Sequence, residues 1–182
     1  PPGNTPKIFN LPFSAGSFTA ERIAISNDGK EIYFTVIQRY YPTAGDTIKC
    51  YKYVGNKWTG PFNLFNGYLA PALSVTGDTM YFQNNNVPYE MLFSYRTGTG
   101  WSTPQRFLYG LNSAHYLQVT NNGHYYISSV SNPTIGASDW CRLYMNGTDT
   151  TAVSLGLPLN SAVDNLDFCV SRDESFMVVC KV

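Results

Sequence analysis

Along this chain apolar and aromatic residues alternate with polar ones in short runs, and each run breaks at Gly, Asn, Asp or Pro. Ile23 and Ile25 lead into Ser26-Asn27-Asp28-Gly29-Lys30, and Ile32-Tyr33-Phe34 leads out. A period of two marks a half-buried strand, and Asp-Gly between two such runs marks a tight hairpin. The arrangement returns at Leu73-Ser74-Val75-Thr76-Gly77-Asp78-Thr79-Met80-Tyr81-Phe82. It returns again at Val119-Thr120-Asn121-Asn122-Gly123-His124-Tyr125-Tyr126-Ile127, with one residue deleted. A fourth copy, Val170 to Val179, carries Glu174 where the others have glycine. Positions 29, 77, 123 and 174 are spaced by 48, 46 and 51 residues. No segment holds a 3.6-residue period over three turns, so no helix is expected.

Two further runs follow each inner hairpin. Ile48–Tyr53, Met91–Tyr95 and Trp140–Met145 read as third strands. Fourth strands open at Trp58 and Trp101 and carry Pro61 and Pro104, whereas Ala152–Leu155 in the third unit lacks both residue types. Proline has no N–H for a ladder, so these strands belong at a sheet edge. Gly55-Asn56, Thr97–Gly100 and Asn146-Gly147 are the intervening turns. A strand-built period of about 40–50 residues is the signature of a propeller or array. The expectation is therefore an all-β chain of four-stranded antiparallel β-propeller blades, about three and a half of them. It forms one domain, 1–182: a lead-in and outer closing strand at 1–21, blades at 22–67, 68–112 and 113–161, and half a blade at 162–182. Thr5-Pro6-Lys7-Ile8-Phe9 has the outer-strand pattern ahead of any inner strand, which implies a ring closed by its two ends. An unfinished half-blade exposes a strand edge. Thr5–Phe9 could cover it, or further blades, or a second chain by self-association through the unfinished edges. The start Pro1-Pro2-Gly3, with no initiating Met, reads as processed, trimmed or cut from something longer.

Composition narrows the function classes. Charged residues are 13% of the chain, against about 25% in ordinary domains, and aromatics are 15%. Lys+Arg and Asp+Glu both number 12, so no electrostatic footprint for nucleic acid is expected. Apolar runs fall short of the roughly 20 residues of a membrane span, so no membrane insertion is expected. Cys50, Cys141, Cys169 and Cys180 have no C-x-x-C spacing. They are expected to be buried free thiols, although Cys169 and Cys180 fall diagonally across the last hairpin.

Ser-x-Asp-Gly-Lys-x-x-Tyr-Phe at 26–34, followed by Trp-(Thr/Ser)-x-Pro outer strands, resembles the TolB-like, WD-repeat-like β-propeller family of bacterial cell-envelope proteins. Thr5–Phe9, Glu21–Ser26 and the connectors Leu111-Asn112-Ser113 and Leu159-Asn160-Ser161 resemble Bacteroidetes-type members. The resemblance spans nearly the whole chain and implies a binding scaffold at a periplasmic, cell-envelope or extracellular location. Such propellers carry about six blades, so this chain would correspond to part of a ring. Asn27, Thr76-Gly77 and Glu174 depart from the commoner Pro-Asp-Gly turn.

In such a fold the Asp-Gly turns lie on one face and the second-to-third-strand loops on the other. The turns are structural, because Asp bonds its own backbone and Gly supplies a left-handed φ. The loop face carries the candidate ligand-binding residues Arg22, Arg39, Tyr40, Tyr41, Asn84, Asn86, Tyr89, His115, Tyr116, Asp139, Trp140 and Asp164. Tyr and Trp beside Asn and Arg suit stacking on a sugar or gripping a peptide; Glu21-Arg22 would equally serve as an inter-blade ion pair. His115 and His124 are expected on opposite faces, which leaves no histidine metal cluster; no metal and no cofactor is expected. No Gly-x-Ser-x-Gly elbow, P-loop or dinucleotide fingerprint appears. The leading expectation is a non-catalytic module recognising a protein or a carbohydrate. One alternative is a glycosidase-like enzyme with a carboxylate pair in the funnel, drawn from Glu21, Glu90, Asp139 and Asp164. The other is a structural assembly domain.

Overall fold

The computed structural model describes residues 5, 18–39, 45–86, 88–111, 113–130, 133–147, 149–165 and 167–180. Pro6–Phe9 of the expected closing strand lies outside them, as do Tyr40 and Tyr41. Fourteen strands and no helix are present among the described residues. The first sheet is β1 (Phe18–Ile25), β2 (Glu31–Ile37), β3 (Thr47–Val54) and β4 (Lys57–Asn66). The second is β5 (Tyr68–Leu73), β6 (Thr79–Asn84), β7 (Met91–Tyr95) and β8 (Gln105–Arg106). The third is β9 (Ala114–Val119), β10 (Tyr125–Ser129), β11 (Asp139–Asn146) and β12 (Asp149–Ser154), and the hairpin β13 (Phe168–Val170)–β14 (Met177–Val179) follows. Every neighbour pair is antiparallel and spatial order follows chain order. These are propeller blades.

The inner turns form as their chemistry dictates. Ser26 Oγ donates to Asp28 Oδ1 at 2.7 Å, the Lys30 amide donates to the same oxygen, and Gly29 sits at φ 69°. In the second and fourth copies Ser74 Oγ donates to Asp78, and Ser175 Oγ to Asp173. Glu174 occupies φ 60°, a left-handed conformation that disfavours a Cβ. Its carboxylate meets His124 Nδ1 at 2.8 Å and accepts from the Thr120 hydroxyl, so the side chain docks the last hairpin onto the third blade.

Three of the four core clusters lie between adjacent units, and the fourth, Ile32, Phe34, Val36 and Tyr51 with Trp58, belongs to the first blade alone. Tyr33, Tyr81 and Tyr126 occupy the same register position in β2, β6 and β10. Tyr33 joins the cluster with Leu73, Met80 and Phe82, Tyr81 that with Leu117 and Ile127, and Tyr126 that with Phe168. Each tyrosine thus packs on the next unit. Val178 holds the same place in β14 and is 60% exposed.

A second device recurs. The innermost strands β1, β5 and β9 each bulge, with Glu21, Ala70 and Tyr116 at φ 65°, 56° and 59°. A buried polar residue of the preceding blade satisfies the backbone beside each of the last two bulges. The Thr35 hydroxyl accepts from the Ala70 amide at 3.0 Å, and Gln83 Oε1 accepts from the Tyr116 amide at 3.1 Å. Ser128, at the equivalent place in β10, donates to the Asn165 carbonyl at 2.7 Å. Bulges re-aim side chains, and Glu21 and Arg22 fall in the first of these irregularities and Tyr116 in the third.

Two expectations are corrected. Trp101 does not open a long fourth strand; it bridges Arg96, and β8 is confined to two residues after Pro104. Proline donates no ladder bond, and this blade lacks the register shifts that carry β4 past Pro61. All four cysteines are free, yet only Cys50 and Cys141 are buried. Cys169 and Cys180 are exposed because they share the face of the last hairpin turned away from the third blade.

Candidate functional site

The innermost strands β1, β5, β9 and β13 surround an axial cavity of about 410 Å³. Its aliphatic wall includes Ile23, Ile25, Pro71 and Val170, and its polar groups are Arg22, Gln118, Asp167, Cys169 and Arg172. Ile23 and Ile25 are 63% and 54% exposed because Ala24, between them, takes the core-facing side of β1. At the turn end the four inner turns are laced together. Asn27 Nδ2 donates to the Val75 carbonyl, Arg172 Nη1 reaches Asn27 Oδ1 and Val75 O at 3.2 and 3.3 Å, and the Asn121 amide donates to the Arg172 carbonyl.

Arg22 dominates the other end. Its Nη2 donates to the Phe168 carbonyl at 2.7 Å, and its guanidinium lies 5.0 Å from both the Tyr116 and the Phe168 ring centroids. The expected Glu21–Arg22 ion pair is absent: no ion pair among the described residues includes Arg22. Burial lowers the Arg22 pKa to about 10, so the group stays charged at neutral pH. Burial also holds the Glu21 carboxyl above its ordinary range, against a hydrogen bond with Tyr116 that works the other way; nearby Asp167 adds to the rise.

The other expected ligand residues divide. Tyr89 and His115 rings lie 4.1 Å apart, and His115 and Tyr116 rings 5.7 Å apart, so a row of rings runs from the loop face to Arg22. His115 Nδ1 faces Gln83 Nε2 at 3.1 Å. Gln83 Oε1 is committed to the Tyr116 amide, so Nε2 is the donor and His115 Nδ1 the acceptor. Protonation would set two donors face to face, and burial lowers the His115 pKa to about 4. Asn84 is bound to Glu90, while Asn86, Arg39 and Asp164 are exposed and line no part of the cavity.

Asp139 and Trp140, expected on the loop surface, are both fully buried. The Asp139 carboxylate accepts from the Ile135 and Gly136 amides, and Trp140 packs with Tyr126 and Phe168. They support the loop rather than present themselves to a ligand. His124 sits at the β9–β10 turn, away from His115 near the start of β9. Sequence reasoning missed Ile23, Ile25, Gln118, Cys169 and Arg172 as cavity residues. The available signal was an apolar residue on both sides of Ala24 in an innermost strand.

No family model matches this chain, and no curated protein does. Among solved structures it is similar to TolB from Acinetobacter baumannii, with 15% identity and a TM-score of 0.63. That match covers 90% of this chain and 37% of TolB. It is also similar to a gluconolactonase from Xanthomonas campestris, with 13% identity, a TM-score of 0.54, and coverage of 81% of this chain and 49% of the enzyme. The chain therefore spans less than half of either protein. The fold is a TolB-like β-propeller.

Proposed function

We infer that this chain is a non-catalytic binding module of a cell-envelope protein, taking a polypeptide segment into the axial cavity. The observation behind the reading is water-exposed Ile23 and Ile25 in a concave site beside a fixed guanidinium. Concave apolar surface with a few polar groups is what ligands cover. Sugars favour open aromatic platforms, whereas Phe168, the aromatic residue of the lining, is already engaged by Arg22, and the other apolar wall residues are aliphatic. A peptide suits it better than a glycan.

Two carboxylates considered for glycoside hydrolysis are engaged elsewhere. Glu90 pairs with Arg106 at 3.2 Å, and Asp139 holds backbone amides. The envelope location follows from the motif resemblance; no helix among the described residues is long and apolar enough to cross a membrane. The test is to pass a random peptide library and peptidoglycan fragments over the immobilised chain. Peptides should be retained, and Ile23→Asp and Ile25→Asp should release them. Retention of glycans alone, unaffected by these substitutions, would overturn the reading.

A further inference from the structure

The geometry points to the axial cavity as a carboxylate site, in which Arg22 receives the carboxylate of a ligand whose aliphatic body lies along Ile23, Ile25 and Val170. This rests on the binding reading above and adds the chemical group that is recognised.

Arg22 is prepared for such a role. A ring on each side holds its guanidinium, one Nη2 hydrogen is committed to Phe168 O, and Nε is enclosed with no hydrogen-bond partner. Arg22 lines the cavity, and the Nη hydrogens not committed to Phe168 are the groups with which a guanidinium matches a carboxylate. Glu21 and Asp167 act on Arg22 electrostatically without forming an ion pair with it, so an incoming carboxylate would add the close charged contact that they do not make.

The lining also selects among anions. Arg172 is held by Asn27 and Val75 at the turn end, whereas Arg22 is held at the Phe168 carbonyl. Asp167 lines the cavity beside Phe168, so the charged groups of the wall are two arginines and one aspartate. Asp167 repels any anion placed there, and a phosphate dianion more strongly than a carboxylate. The volume, about 410 Å³, lies in the usual range for small-ligand sites.

This chemistry has two sources, a peptide carboxyl terminus and a free aliphatic acid, and calorimetric titration separates them. The probes are N-acetyl-Leu-Leu with a free carboxyl terminus, the same dipeptide amidated, and hexanoate, each at about 1 mM. The free acid should bind, and amidation should weaken it by about 10- to 100-fold, as expected for losing a charge-assisted hydrogen bond. Arg22→Gln should bring acid and amide to equal, weak binding. Because Arg22 also tethers Phe168, Ile25→Asp serves as the second variant; it leaves the tether intact, adds a negative charge to the wall and should lower affinity for the acid. Hexanoate displacing the dipeptide supports a free acid as the source, and failure to displace it supports a peptide terminus. Equal binding of acid and amide by the unsubstituted chain, or no binding of any probe, overturns the carboxylate site. Library peptides held through internal sequence would still leave the broader binding reading standing, whereas an empty library would end both.

Discussion

Removing the Gln83 side chain amide is the sharpest test of how adjacent blades are joined. Gln83 is 2% exposed, and it spends both ends of its amide on the third blade. Gln83→Leu keeps much of the volume but strands the Tyr116 amide and the His115 Nδ1 acceptor. A buried polar group left without a partner costs about 1–3 kcal/mol. His115 retains some access to water, so the combined loss should be about 2–4 kcal/mol, a large share of a typical 5–15 kcal/mol total. At this chain length that is roughly 4–16 °C in Tm. Urea unfolding followed by tryptophan fluorescence reads the change in midpoint. Burial of His115 also sets a pH dependence. The folded His115 value of about 4 lies below the ordinary value of about 6.5, so only the unfolded chain takes up its proton between them. Stability from this residue is intact above pH ~6.5 and declines as pH falls, levelling near pH 4 with a loss on the order of 3 kcal/mol. His115→Gln should remove that part of the acid limb. A Gln83→Leu protein within about 0.5 kcal/mol of the parent, the range of neutral surface changes, would refute the reasoning.

Four further outcomes follow from the same structure. Thr35→Val strands the Ala70 amide and should cost about 1–3 kcal/mol, read by the urea midpoint. Gly136→Ala would set a Cβ 2.2 Å from the Val163 carbonyl oxygen and should destabilise by about 1–3 kcal/mol or more, whereas Gly98→Ala meets nothing within 4 Å and should be near neutral. Glu174→Ala loses the clasp to His124 and keeps the left-handed φ, while Glu174→Gly loses the clasp but relieves the backbone; Ala should melt below Gly, and the reverse order would show that the backbone is unstrained. Burial alone would raise the Glu31 pKa, but hydrogen bonds from Arg96, Tyr33 and Lys52 hold it below the ordinary carboxylate value. Its stabilisation is therefore present at neutral pH and lost as pH falls through the carboxylate range; Arg96→Ala should flatten that loss in acid titrations followed by circular dichroism.

The turn at Ser26–Lys30 shows what was legible along the chain. Asp28, Gly29 and Ser26 act on one another within a few residues, so their chemistry forms the same hairpin wherever it recurs. The repetition of that hairpin, with aromatic strands behind it, specified blades and their order. The candidate site was legible at Arg22, which the bulge in β1 brings to the axis. Trp140 shows the opposite case, since an exposed aromatic and a core aromatic look alike in a strand of alternating residues.

By itself the sequence determined the strand periodicity, the turn chemistry and the count of units, because those depend on neighbours a few positions away. Only the tertiary structure decided that Gln83 serves the next blade, that Arg22 sits between Tyr116 and Phe168 instead of pairing with Glu21, and that Ile23 and Ile25 face a cavity. Those contacts join residues 33 to 146 positions apart. They depend on the angle at which successive twisted sheets meet around the axis, which no local pattern of residues encodes.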